Sequence, residues 1–176
     1  SADILRAAAS GDVEAIKQQL EAGVDVDAKE QPGGSTPLLV TAVFGRLDAA
    51  RLLIEKGANV NAKSNDGATA LHGAAFFCHT EILKLLLAKG AEVNAKNTRG
   101  ETPLDAVAGE WSPELEGIYK YLAGLWNLQL DLGQIKSARP HVVALLAKHG
   151  GKSGNEDVKG TGYRGSYFKN GEIHVN

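Results

Sequence analysis

The clearest hydrophobic pattern in the chain lies in "RLDAARLLIEKG" (46–57) and "TEILKLLLAKG" (80–90), where leucines recur at helical spacing and a glycine closes each run. Before each run stands a shorter apolar stretch opened by threonine: "TPLL" at Thr36 and "TALH" at Thr69, with a third, "TPLD", at Thr102. Threonine suits a helix N-cap, and proline, which follows it in two of the three cases, suits the first helical position because its missing N–H has no partner there anyway. Ala42, Ala75 and Ala108 give each short helix a small face, which lets a neighbour approach closely. The pattern predicts helix pairs, short then long, joined by tight turns and followed by an alternating "VNA" segment that runs into a polar turn.

The pairs repeat. Thr36, Thr69 and Thr102 are 33 residues apart, and "GVDVDAK", "GANVNAK" and "GAEVNAK" begin at Gly23, Gly57 and Gly90, with the single extra residue falling in "QPGGST". One such unit cannot bury its own apolar face, so the units must stack, each touching only its neighbours.

These residues resemble the ankyrin repeat family, whose pattern is Thr-Pro-Leu-His, Ala-Ala, Gly-His, paired leucines and Gly-Ala-x-Val-Asn-Ala. The resemblance covers about residues 2–110 and resumes at "PHVVALLAKHGG" (140–151). It implies an all-α repeat solenoid of ankyrin-type stacked helix-turn-helix units with hairpin loops. The repeats run about 1–31, 32–64, 65–97 and 98–151, the first being an atypical capping unit without its hairpin. A tail follows over 152–176, a glycine-rich linker and then a possible β-hairpin around Asn170-Gly171. Functionally the resemblance implies a non-enzymatic module that binds a partner protein or peptide in a concave groove.

Alignment places Val43 and Phe44, then Phe76 and Phe77, just after the alanines of the first helices, where the resemblance implies a groove-facing position. Glu110 and Trp111 continue that row in the fourth repeat. Exposed aromatics in a row mark an interaction surface. Phe76 and Val43 are assigned to the groove, whereas Phe44 and Phe77 divide evenly between groove and core. Lys63, Asn65, Lys96 and Arg99 lie at the hairpin tips, and with Lys29 they form a rim that is either simply solvated or selective for an acidic partner. Cys78 replaces the turn glycine seen at Gly11 and Gly45, which should strain the turn by about 1 kcal/mol, and it is read as a small hydrophobe beside Phe77.

The fourth repeat is interrupted by about 27 residues, 111–137. Ser112 and Pro113 predict a helix start, and Leu115, Ile118, Tyr119, Leu122, Leu125 and Trp126 then share one face. This amphipathic helix is read as a cap over the open end of the last repeat, with partner binding as the alternative. Self-association or enzyme regulation through the insert or the tail is the alternative function, although a monomer is the expectation.

Composition changes this picture little. With 43% hydrophobic and 23% charged residues and a net charge of −2, there is no basic field for nucleic acid. One cysteine excludes an intrachain disulfide, and no apolar run reaches membrane-spanning length. Because the chain opens on Ser1 and lacks methionine, it is read as having lost its native N-terminus, and its compartment stays open. His72 and His79 fall in slots where the resemblance implies hydrogen bonds to backbone, and no zinc or triad spacing points to a metal, cofactor or enzyme. "GTGYRG" (160–165) fits a nucleotide-loop pattern without the flanking strand and helix, so it is read as a decoy.

Overall fold

The computed structural model describes residues 2–154 and the backbone of residues 168–169 and 172–173. Nine helices occur among the described residues: α1 (Ala2–Ser10), α2 (Val13–Glu21), α3 (Pro37–Phe44), α4 (Leu47–Glu55), α5 (Ala70–Phe76), α6 (Thr80–Ala88), α7 (Asp105–Ala108), α8 (Pro113–Trp126) and α9 (Leu132–Lys148). Two short strands, β1 (Phe168–Lys169) and β2 (Glu172–Ile173), pair antiparallel across a two-residue connection. The nucleotide-loop decoy, the linker beyond Gly154 and any packing of Tyr163, Tyr167, Phe168 or Ile173 lie outside the described residues.

Local chemistry starts each unit where the threonines predict. Thr36 is extended and its Oγ1 accepts from the Leu39 N–H at 3.3 Å, with Pro37 opening α3. At α5 the work passes to His72, whose Nδ1 accepts from the Thr69 N–H at 3.1 Å, so Nε2 carries the proton and donates to the Glu101 carbonyl at 3.1 Å. The short helices α1, α3, α5 and α7 stack in one row, and α2, α4 and α6 stack in a second, with α9 against α7. Between the rows Ile16, Leu38, Leu53, Leu71, Leu83, Leu86 and Leu146 are at most 1% exposed and form one continuous apolar core. Full burial of side chains of this size stabilises by about 1.5–3 kcal/mol each.

The hairpin tips are laced together by the lysines. Lys29 Nζ donates to the Lys63 carbonyl at 2.9 Å, Lys63 to the Lys96 carbonyl at 3.1 Å, and Lys96 to the Gly154 carbonyl at 3.1 Å. Residues 150–154 therefore lie against the last hairpin as a further tip would. Asn94 donates to the Gly150 carbonyl and accepts from Lys152 N, while Asp105 accepts from Ser153 Oγ and Gly154 N. The start of the expected linker is thus tied down.

A second series crosses from repeat to repeat at the ends of the short helices. Arg46 Nε donates to the Ala9 carbonyl at 2.7 Å, and His79 Nε2 to the Val43 carbonyl at 3.0 Å. The Phe76 carbonyl comes next, and there the donor is Tyr119 Oη from α8, at 2.6 Å. His79 also explains Gly45, whose φ is +71°: a Cβ on that residue would sit 2.6 Å from the imidazole.

The fourth repeat departs from expectation in two ways. Helix α7 is a single turn, so Ala108 is exposed and Ala106 takes the buried place. The second helix starts ahead of the point where the resemblance resumes: Asp131 caps it by accepting from Gln134 N at 2.9 Å, and α9 then runs through Pro140. A proline there lacks the N–H for the Lys136 carbonyl and its ring crowds that oxygen, a cost taken on an exposed turn where water can serve the freed carbonyl.

Burial holds the His79 pKa below its ordinary value of 6.5, and the neighbouring Arg46 charge adds to this, both outweighing the Val43 hydrogen bond. Because the folded state resists taking a proton that the unfolded chain takes near 6.5, this contribution is complete above that pH and is lost as the pH falls below it. The melting temperature should fall between pH 7.5 and 5.5, and His79→Gln should make that fall shallower. An unchanged slope would show that His79 contributes nothing to it.

Candidate functional site

Val43 and Phe44 end α3, Phe76 ends α5, and Phe77 is the residue on which α5 stops. The expectation that Phe76 faces open groove is overturned: Phe76 is 5% and Phe77 4% exposed. Their cover is the inserted helix. Ser112 Oγ accepts from Leu115 N at 3.2 Å to start α8, whose stripe of Leu115, Ile118, Tyr119 and Leu122 packs on Phe76 and Phe77. Tyr119 is fully buried, stacked on Phe76 at 4.5 Å between ring centroids and on Trp111 at 5.6 Å, and edge-on to Phe77 at 6.0 Å. Each such ring pair adds about 0.5–1.5 kcal/mol beyond area burial.

Below Tyr119 lies Arg139, 4% exposed, whose guanidinium donates to Tyr119 Oη at 3.0 Å and to the Gly109 carbonyl at 2.8 Å. The tyrosine hydroxyl is thus oriented, accepting from Arg139 while donating to Phe76. Cys78, at φ +56°, bears the left-handed strain expected of it, and its thiol joins the same cluster, 3.8 Å from the Ile135 carbonyl. Burial, only partly opposed by Arg139, pushes that thiol up to about 11, which makes it a poor nucleophile at neutral pH.

What α8 leaves uncovered is a cleft of about 1030 Å³ along the row of short helices. Leu39, Val40, Val43 and Phe44 of α3 line it with Gly73, Phe76 and Phe77 of the third unit. Leu5, Arg6 and Ala9 of α1 lie at one side and Leu122, Leu125 and Trp126 of α8 at the other. Residues 29–33 and 64–66 add a polar rim carrying Lys29, Glu30, Asn65 and Asp66. His72 reaches the floor, and burial lowers its pKa, so it is uncharged at neutral pH.

Of the residues assigned to partner binding, Val43, Phe44, Asn65, Phe76 and Phe77 meet at this cleft, the two last as buried floor. Lys63 and Lys96 are exposed on the tip row outside it, and Arg99 is 3.7 Å from Glu101 in an ion pair. Glu110 is exposed beyond α7. Trp111 does not continue an open aromatic row: it lies half-buried under the start of α8, with the Lys136 ammonium 5.9 Å from its ring centroid. Leu125 and Trp126 were missed as site residues, although their place on the insert's apolar stripe was the available signal. Among the described residues no three His, Cys, Asp or Glu side chains gather as a metal site, and no helix is long and apolar enough to cross a membrane.

Residues 4–97 match the family described as ankyrin repeats, in three copies. Over 66 residues the chain is 39% identical to the B-cell lymphoma 3 protein homolog of Mus musculus, covering 38% of this chain and 15% of that protein. It is 38% identical over 66 residues to the 2-5A-dependent ribonuclease of Mus musculus, covering 38% and 9%. Over 59 residues it is 39% identical to the neurogenic locus Notch protein of Drosophila melanogaster, covering 34% and 2%. The chain therefore spans a small part of each of these relatives. The family is generally non-enzymatic, and its repeat domains generally mediate protein–protein interaction. A 33-residue period, two rows of stacked helices and a match over more than half its length together place the chain in the ankyrin repeat family.

Proposed function

We propose that the chain is a non-enzymatic interaction module that grips a partner protein or peptide in the cleft left open on its concave face. The observation that carries this reading is the cleft's makeup, an apolar and uncharged floor at Val43, Phe44 and Phe77 inside a polar rim. Interfaces are organised in that way, with desolvated anchors at the centre and solvated groups around them. The alternative, self-association through the insert, needs the apolar stripe of α8, and that stripe is packed on Phe76 and Phe77 of the same chain.

The test is capture of a partner from the source cell, its identification by mass spectrometry, and titration of the purified pair by calorimetry. Val43→Glu should weaken binding at least tenfold, roughly the loss of one interface anchor, while the circular dichroism spectrum stays that of the parent. Equal affinity of parent and variant would overturn the cleft as the binding site.

A further inference from the structure

Arg46 and His79 hold the same slot in successive repeats, and each reaches back to a main-chain carbonyl of the preceding unit, at Ala9 and Val43. In the fourth repeat that slot falls on Arg139, 60 residues beyond His79, which is one 33-residue period plus the 27-residue insertion. Register therefore pairs Arg139 with the Phe76 carbonyl. The structure breaks the pairing: Tyr119 Oη stands between the two, donating to Phe76 at 2.6 Å and accepting from Arg139 at 3.0 Å. A side chain of the insert is wedged into a seam whose own donor and acceptor are both still present.

We infer that the insert is a hinged strap: α8 lifts from Phe76 and Phe77 while the repeats stay folded, and the Phe76 carbonyl then passes from Tyr119 to Arg139. The first support is that donor in reserve. While the Tyr119 ring is in place it bars Arg139, but once the ring leaves, the carbonyl is not orphaned, so opening forfeits no bond at the seam. The second is the charge that docking buries. Arg46, in the same slot with no insert above it, is exposed, whereas Arg139 is 4% exposed and both its acceptors, the Tyr119 hydroxyl and the Gly109 carbonyl, are neutral. A guanidinium buried without a counter-charge costs free energy that lifting returns. The third is that α8 is complete in itself. Ser112 caps its start, Asn127 at φ 52° closes its end by donating its N–H to the Ala123 carbonyl, and Lys120 pairs with Glu116 one turn away at 2.6 Å. Successive repeats are joined main chain to main chain, Asn65 N to the Gly33 carbonyl at 3.0 Å and Thr98 N to the Asp66 carbonyl at 2.9 Å; among the described residues no such bond ties α8 to a repeat. The non-helical segments 109–112 and 127–131 flank it as hinges. What opening costs is the apolar contact of the α8 stripe with Phe76 and Phe77, so the closed form predominates. Nothing in this device depends on what fills the cleft.

Hydrogen exchange of the full chain at pH 7.5, followed by mass spectrometry, tests the opening. A lifted helix of 14 residues is marginal in water, so its amides exchange whenever the strap opens. After correction for intrinsic rates, the amides of residues 116–126 should exchange roughly tenfold or more faster than those of α5 and α6. Equal rates would show that α8 opens only with the whole chain and would overturn the strap. Leu115→Glu combined with Leu122→Glu should hold the strap open: α8 loses its protection, α3 to α6 keep theirs, and a crystal structure of this variant has the Arg139 guanidinium within about 3.2 Å of the Phe76 oxygen. Loss of protection throughout the repeats would show that they do not stand without α8, which also overturns the strap. A guanidinium still on Gly109, with water on the Phe76 carbonyl, would keep the lifting and overturn the change of donor.

Discussion

Tyr119→Ala should lower the melting temperature by about 10 °C. Removing a fully buried aromatic side chain costs about 3–5 kcal/mol, and for a chain of this length each kcal/mol moves the midpoint by roughly 2–4 °C. The site cannot collapse cheaply, because Phe76 and Phe77 at the end of α5 and Trp111 ahead of α8 surround the ring. Polar terms add to the loss: the Phe76 carbonyl loses its donor and the buried Arg139 loses an acceptor. Tyr119→Phe isolates that part and should cost about 1–3 kcal/mol. The lone cysteine supplies an independent readout. In the parent, burial leaves Cys78 slow to react with iodoacetamide at pH 7.5; in Tyr119→Ala, opening of α8 should expose it and speed alkylation more than tenfold. An unchanged melting curve and alkylation rate would show that α8 is not held by this residue.

The second large effect is a contrast between neighbours in the same alignment. Phe76→Glu should unfold α8 from the repeats or the whole chain at 37 °C, because it removes a ring that is 5% exposed and puts a carboxylate among Tyr119, Leu122 and Ile135. The lost ring alone costs about 3–5 kcal/mol, and an uncompensated buried charge adds several more. Val43→Glu, on the half-buried cleft floor, should cost no more than about 1 kcal/mol. Urea unfolding of both variants decides the matter, and equal midpoints would refute the burial of Phe76 by the insert.

That contrast shows where sequence stops being informative. The stacked helices were legible because their causes are local and periodic: Thr36 caps α3, Leu53 and Leu86 recur one period apart, and His79 reaches the neighbouring backbone. The helical face of α8 was legible for the same reason. Its destination was not, since Leu115, Ile118, Tyr119 and Leu122 state that a surface must be covered without naming which one. A cap over the last repeat and a cover over Phe76 and Phe77 ask for the same stripe. The contacts of Tyr119 distinguish them: its ring stacks on Phe76 and its hydroxyl meets a carbonyl 43 residues back. The start of α9 was not legible for a related reason: the resemblance resumes only at Pro140, whereas the cap that starts the helix is Asp131, inside the insertion.

The crosswise bonds at Ala9, Val43 and Phe76 have a consequence for mutational tolerance. In each the acceptor is a main-chain oxygen, which every amino acid supplies, while the donor is a particular side chain: Arg46, His79 or Tyr119. The series is therefore one-sided in its sensitivity. Exchanging the residue that offers the oxygen leaves the bond available, whereas exchanging the residue that reaches for it deletes the bond. Across a saturation library the donor positions should tolerate only other hydrogen-bonding side chains of similar reach, while Ala9 and Val43 drift among residues limited by the cleft alone. Evolution can thus rewrite the cleft face of this chain without loosening the seams between its units.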